Sequence, residues 1–392
     1  MFRGSRSCRY KSSPILYQGG VSLRILFAGG GTAGHINPAI AIANHLRERN
    51  EDVRVRFVGT AEGLEVNLVP HSGYELDTIK VHGFERKLSL RTIKTMLEIP
   101  AAIAASRRII KKFKPDAVVG TGGYVCGPVL YAAAKMGLPT FIHESNAFPG
   151  ITTKILSGYV DVVAVGVEAA KKYIPKAKRL ELTGNPIRPS ILSVDSFSAR
   201  RKMRLDERPF ILIFGGSLGA RDFNAHITDW ICKISDSGKY QILMGTGKLN
   251  QFDAVMERFS KNGIDIENNP DIKICEYIYD MDIAMNAADL VISRAGASTL
   301  AELTAIGKPA ILVPSPYVTD NHQEHNARAV ESEGGAVVIT ESELKATIID
   351  EAVAKITGEP GKLAAMRKAA AKMGVPNAAD LICEKIEKLI KK

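Results

Sequence analysis

Cysteine is scarce in this chain. The five present (Cys8, Cys126, Cys232, Cys275 and Cys383) are scattered, odd in number and free of any Cys-x-x-Cys spacing. That pattern excludes a disulfide framework and a zinc knuckle, and it fits a reducing cytoplasm. Aromatic residues make up only 6% and tryptophan occurs once. Without a basic-aromatic stripe or a nucleic-acid module, nucleic acid is not an expected partner. No apolar run approaches the ~18–20 residues that span a bilayer. Residues 1–22 also lack the apolar stretch of a signal peptide. The expectation is a protein that is soluble, or peripheral at most.

What is there is globular: 45% hydrophobic and 24% charged residues over 392 positions. A chain of this length exceeds one ordinary core, so two domains of under about 200 residues each are expected. The net charge of +10 includes Arg3, Arg6, Arg9 and Lys11, which lie in residues 1–22 with no acid among them. The remaining excess is modest and suits phosphorylated substrates or an anionic membrane. Gln18-Gly19-Gly20 is encodable by a bacterial ribosome-binding sequence, with Leu23 following as a start. Residues 1–22 are therefore expected to be translated leader or a disordered tail.

Two loops in opposite halves carry most of the information. Arg24-Ile-Leu-Phe-Ala28 opens into Gly29-Gly-Gly-Thr32-Ala33-Gly34-His35, and Leu290-Val-Ile-Ser293 opens into Arg294-Ala-Gly296-Ala297-Ser298-Thr299-Leu300-Ala301-Glu302. Each reads as a strand ending in a Gly-rich turn that starts a helix, the geometry that offers free N–H groups to an anion. The first fits the dinucleotide fingerprint by letter. The second strand, however, ends Phe57-Val58-Gly59-Thr60 without the acid that holds a ribose. Nicotinamide or flavin binding is thereby a minor alternative. His35 at a helix start in a Gly loop is marked for a general-base or acceptor-binding role. Ser298 and Thr299 suit a diphosphate and Glu302 suits ribose hydroxyls.

Further strands feed Gly120-Thr-Gly-Gly123-Tyr124 and His143-Glu144-Ser145-Asn146, and Gly123, Tyr124, His143 and Glu144 are read as an acceptor-facing rim. Strands alternating with helices imply parallel sheets. Gly184-Asn-Pro186-Ile-Arg188-Pro189 is the best interdomain link. The expected division is a leader 1–22, a first domain 23–186, a second domain 187–375, and a final helix 376–392 returning to the first domain. Asp280-Met-Asp282 reads as a helix cap, not a metal site, and His322-Gln323-Glu-His325 lacks the zincin pattern, so no metal is assigned. Gln323 is instead placed against sugar hydroxyls. From residue 87 to 114 eight basic residues face one acid, Glu98. The segment reads as two amphipathic helices. The first pairs Lys87, Arg91 and Lys94 with Leu90, Ile93 and Leu97, a composition that suits insertion at an anionic membrane surface.

Seven motifs in order resemble the bacterial MurG glycosyltransferase family over residues 23–392: those at 29–35, 120–128, 143–146, 184–188, 215–221, 294–302 and 320–323. Ala33 stands where the family often has Gly. The resemblance implies an α/β fold of two Rossmann-like domains facing across a cleft, the GT-B arrangement. It implies inverting, metal-free transfer of GlcNAc from UDP-GlcNAc to undecaprenyl-pyrophosphoryl-MurNAc-pentapeptide (lipid I), forming lipid II at the cytoplasmic face of the bacterial membrane, with no cofactor. Other cell-wall synthesis proteins are the implied further partners. By the same resemblance Thr32, Ala33, Gly34 and Asn146 contact donor sugar or phosphate, Arg188 and Ser217 the diphosphate, and the Ile278 backbone the uracil. Ala297, Ser298, Thr299, Leu300, Ala301 and Glu302 bind phosphate and ribose, Gln323 binds GlcNAc, and His35 deprotonates the muramyl 4-hydroxyl. A diacylglycerol glycosyltransferase and a non-catalytic nucleotide-sugar-binding regulator are the rival readings.

Overall fold

The computed structural model describes residues 23–83, 90–216, 219–247 and 251–391, with no side chains described for 90–96. Short β-branched and aliphatic runs form two wholly parallel sheets. The first contains β1 Arg24–Ala28, β2 Arg54–Gly59, β3 Glu75–Thr78, β4 Ala117–Gly120, β5 Thr140–Glu144, β6 Val162–Val165 and β7 Leu180–Leu182, in the order β3-β2-β1-β4-β5-β6-β7. The second contains β8 Phe210–Phe214, β9 Gln241–Gly245, β10 Ile272–Cys275, β11 Leu290–Ser293, β12 Ala310–Leu312 and β13 Ala336–Val338, in the order β10-β9-β8-β11-β12-β13. In both, the chain reverses winding direction beside the first strand. The switch points fall between β1 and β4 and between β8 and β11, and a crevice opens there beyond the carboxyl ends of the strands.

Strand alternation divides each core between the two faces of its sheet. In β1, Ile25 and Phe27 join one cluster with Phe57, where the two rings stack 5.2 Å apart. Leu26 and Ala28 join the other, with Val118, Val129 and Leu130. The final helix, Ala378–Ile390, inserts Ile382, Cys383, Ile386 and Leu389 into the Phe27 cluster. Arg49 clamps it with two 3.1 Å hydrogen bonds to Glu387, and His45 Nε2 lies 2.8 Å from Asp380.

One local reading is corrected. The basic stretch forms a single helix, Leu90–Phe113, running through Pro100. A proline costs an interior helix one hydrogen bond. Here Ala102 and Ile110, both buried in the cluster that holds Val129 and Leu130, supply the packing that carries the helix across it.

Candidate active site

The loop after β1 turns at Gly31, whose φ of +86° suits glycine. Helix Ala33–Arg49 then starts with Thr32 as an extended N-cap whose side chain makes no cap bond. The first-turn amides of Ala33 and Gly34 have no preceding turn to bond and so face an incoming anion. His35 Nδ1 lies 3.3 Å from the Gly30 carbonyl and 3.2 Å from Thr32 Oγ. A carbonyl only accepts, so the Gly30 contact requires the tautomer with the proton on Nδ1, in which Nε2 is the acceptor. Burial lowers the His35 pKa below 6.5, against the smaller opposing effects of Glu144, the Gly30 carbonyl and Glu65. The ring is therefore neutral at neutral pH, as a general base must be.

The loop after β4 closes over this histidine. Gly122 and Gly123 take φ of +107° and +84°, and a Cβ on Gly123 would lie 2.3 Å from the Gly30 oxygen. The two loops approach so closely because neither carries a side chain at the contact. A Cβ on Gly122 would stand 3.1 Å from His35 Nε2, so the free nitrogen looks onto this loop. Thr121 donates to the His35 carbonyl at 2.7 Å, and Tyr124 packs half-buried over Gly31. Cys126, buried beneath, has its thiol pushed up to about 12 and is no nucleophile.

His143 and Glu144 do not form an exposed rim. Strand β5 continues through Glu144, so both side chains enter the covered interior, at 0% and 5% exposure. His143 donates from Nε2 to the Gly184 carbonyl at 2.9 Å. Glu144 accepts from the Asn146 and Gly150 amides, both at 3.1 Å, and from Thr153 Oγ at 2.8 Å. They shape the loop from inside. Its tip instead reaches the second sheet's domain. The Ala147 amide donates to Asn326 Oδ1 at 2.7 Å, Asn326 Nδ2 donates to Asn146 Oδ1 at 3.1 Å, and Phe148 stacks on His325. Replacing Asn326 by Ala leaves the buried Ala147 amide unpaired. The expected cost is about 1–3 kcal/mol of stability, read as a lower midpoint in chemical denaturation; an unchanged midpoint would show that the seam contributes nothing.

In the second half, Gly296 is the extended N-cap of helix Ala297–Ala305. Its Ser298, Thr299 and Glu302 line a cleft of about 630 Å³ with Arg188, Gly216, Gly245 and Ile278, closed from the first domain by Asn37, Ala41 and Asn44. Ala297, Leu300 and Ala301 lie on the opposite face of that helix, around a separate cavity of about 520 Å³. The motif is thus split by the helix period. Arg188 and Glu302 are paired: Nε donates to Oε1 at 2.6 Å and an Nη to Oε2 at 2.9 Å. Gln323 accepts from the Ser315 amide at 2.9 Å and lines a third cavity of about 420 Å³, across the Gly215 loop, with Arg221 and Arg294. Ser217 lies outside the described residues. Asp280 stands at the N-cap of helix Met281–Ala287 without a side-chain cap bond, so the hydrogen bond expected of it there is not made.

Sequence reading missed two residues. Asn326 follows the His322–His325 motif with nothing local to distinguish it. Glu65 is fully buried beneath the first Gly loop, while Glu62 nearby is exposed. No periodicity separates those two acids.

A neutral histidine beside one switch point, and a serine- and threonine-bearing helix start lining a cleft beside the other, fit a sugar-transferring enzyme of two Rossmann-like domains. Residues 25–165 match the glycosyltransferase family 28 N-terminal domain and residues 210–382 the family 28 C-terminal domain. The chain is 45% identical over 370 residues to the UDP-N-acetylglucosamine--N-acetylmuramyl-(pentapeptide) pyrophosphoryl-undecaprenol N-acetylglucosamine transferase of Acetivibrio thermocellus, covering 94% of this chain and 99% of the relative. It is 46% identical to the protein of the same name from Caldanaerobacter subterraneus subsp. tengcongensis, covering 91% and 97%. The crystal structure of Acinetobacter baumannii MurG matches with a TM-score of 0.77 at 28% identity, covering 93% of this chain and 99% of that one. The chain belongs to the MurG family of glycosyltransferases. A UDP-GlcNAc 2-epimerase from Neisseria meningitidis, with a TM-score of 0.63 at 15% identity over 93% and 100% of the two chains, shares the fold alone.

Proposed function

We propose that this enzyme transfers GlcNAc from UDP-GlcNAc to the muramyl 4-hydroxyl of lipid I, giving lipid II. The observation that carries this reading is His35, whose Nδ1 contact with the Gly30 carbonyl turns Nε2 to the Gly122 loop, on the helix whose Asn37 and Ala41 line the cleft that ends on Ser298, Thr299 and Glu302. The acceptor oxygen attacks the anomeric carbon, the bond to UDP breaks with inversion, and the hydroxyl proton passes to Nε2. Negative charge gathers on the departing diphosphate, where the N-terminus of helix Ala297–Ala305 stabilises it. Glu302 takes the ribose, the Ile278 backbone the uracil, Arg188 the diphosphate side, and Gln323 the sugar hydroxyls. Thr32, Ala33, Gly34 and Asn146 complete the donor contacts. A turnover assay with labelled UDP-GlcNAc and a lipid I analogue tests the reading; transfer to diacylglycerol, or binding without turnover, rejects it.

The acceptor's polyprenyl chain stays in a bilayer, so the enzyme must work at the surface. Among the described residues no helix is long and apolar enough to cross a membrane. Leu97, on helix Leu90–Phe113, is 74% exposed. Lys87 and the side chains of Leu90, Arg91, Ile93 and Lys94 lie outside the described residues. In this reading the three basic residues contribute roughly 1 kcal/mol each near anionic lipid. Charge reversal at Lys87, Arg91 and Lys94 is expected to abolish low-salt binding to anionic vesicles while sparing turnover of a short-chain soluble acceptor. Retained vesicle binding moves the membrane contact elsewhere.

A further inference from the structure

Glu65 begins helix Glu65–His71, yet its carboxylate is turned into the protein with 0% exposure. Oε1 accepts from the Thr60 amide and the Thr60 hydroxyl, both at 2.8 Å, and Oε2 accepts from the Gly31 amide at 3.0 Å. Three glycines make room for it. A Cβ on Gly30 would lie 2.6 Å from Oε1, one on Gly63 2.1 Å from Oε2, and one on Gly59 2.5 Å from Cγ. Burying a carboxylate is costly unless its hydrogen bonds are met. Here all three donors are met, and one belongs to the loop that carries His35.

The Gly31 N–H and the Gly30 carbonyl are two ends of one planar trans peptide, so fixing the first aims the second. That carbonyl is the acceptor 3.3 Å from His35 Nδ1. We infer that Glu65 is a positioning residue for His35, acting through the Gly30–Gly31 peptide. The carboxylate holds the N–H, and the carbonyl on the other edge then holds the imidazole in the tautomer that leaves Nε2 unprotonated. The arrangement does for this histidine what a direct carboxylate partner does elsewhere, with a peptide interposed. The inference rests on His35 as the base. Among the described residues, Glu65, Glu144 and His322 are titratable groups that interact electrostatically with His35.

Histidine labelled with 15N reports the tautomer directly, with H35Q assigning the His35 signals. In E65Q the one amide oxygen satisfies most donors when it faces the Thr60 amide and hydroxyl, which turns the NH2 onto the Gly31 N–H and releases the peptide. The expected result is loss of the Nδ1–H tautomer, a fall in kcat of roughly 10–100-fold, and an acid limb moved to lower pH. That direction follows because both the carboxylate charge and the Gly30 carbonyl raise the His35 pKa. E65D keeps an acceptor-only side chain but fills the space less well. If Glu65 acts by hydrogen bonding, E65D retains more of the wild-type tautomer than E65Q. If E65Q, the closer isostere, retains more, or leaves the His35 signals unmoved, the inference is overturned. Wild-type turnover in H35Q would reject the base assignment instead, and the tautomer in E65Q would still decide the link to Glu65.

Discussion

Exchange of His35 for glutamine is expected to lower kcat by roughly 10²–10⁴-fold, the range for loss of a positioned general base, with UDP-GlcNAc affinity little changed. Glutamine can still donate to the Gly30 carbonyl, so the loop keeps its shape while the proton acceptor is lost. The wild-type pH profile carries the same information. Burial lowers the His35 pKa, so wild-type kcat/KM, which reports the free enzyme, falls only once the pH drops through a value below 6.5. This limb disappears from the residual activity of H35Q. His143 and His322 also have pKa values lowered by burial. For such groups the unfolded chain binds protons first, so stability declines as the pH falls from about 6.5 towards the folded-state values. Denaturation followed over the same range separates that decline from loss of the base. A kcat within a fewfold of wild type in H35Q would remove His35 from the chemistry.

The second large effect is expected at the Arg188–Glu302 pair. Glu302→Ala removes the carboxylate proposed to accept from the ribose and strips Arg188 of its partner. A loss of about 1–3 kcal/mol in donor binding is expected, equivalent to about 5–150-fold in Kd. Arg188→Ala weakens the donor as well, because it frees the carboxylate that it holds at 2.6 and 2.9 Å. Paired side chains couple, so the double variant should lose less than the sum of the singles, by roughly 0.5–3 kcal/mol. Calorimetric titration of the four proteins with UDP-GlcNAc measures this. Strict additivity would show that each residue acts on the donor independently; an unchanged Kd in Glu302→Ala would take that residue out of the site.

Much of the architecture could be read in advance. Apolar runs such as Arg24–Ala28 and Leu290–Ser293, each leading into a glycine-containing turn, announce strands whose loops suit a ligand. Their alternation with helical stretches leaves little choice beyond parallel doubly wound sheets. Errors arose where burial, not local pattern, decides. Strand β5 runs through Glu144 because β6 continues to pair with it beyond the end of β4, Glu144 facing Val165, and polar letters alone suggest a loop there. The helix through Pro100 persists because tertiary packing outweighs a local breaker.

The sequence by itself determined the two glycine-rich crevices, the histidine at the start of the first helix, and the hydroxyl and acidic residues of the second. These depend on neighbours within a turn or two, where spacing dictates geometry. Only the tertiary structure decided which groups those residues meet. Gly31 and Glu65 are 34 residues apart, Arg188 and Glu302 114, and Asn146 and Asn326 180. The buried carboxylate and the interdomain amide bond satisfy polar groups withdrawn from water, while the bidentate pair joins an exposed guanidinium to a largely covered carboxylate. Which partner satisfies them depends on how strands and loops are stacked in space, and no local pattern in the chain carries that information.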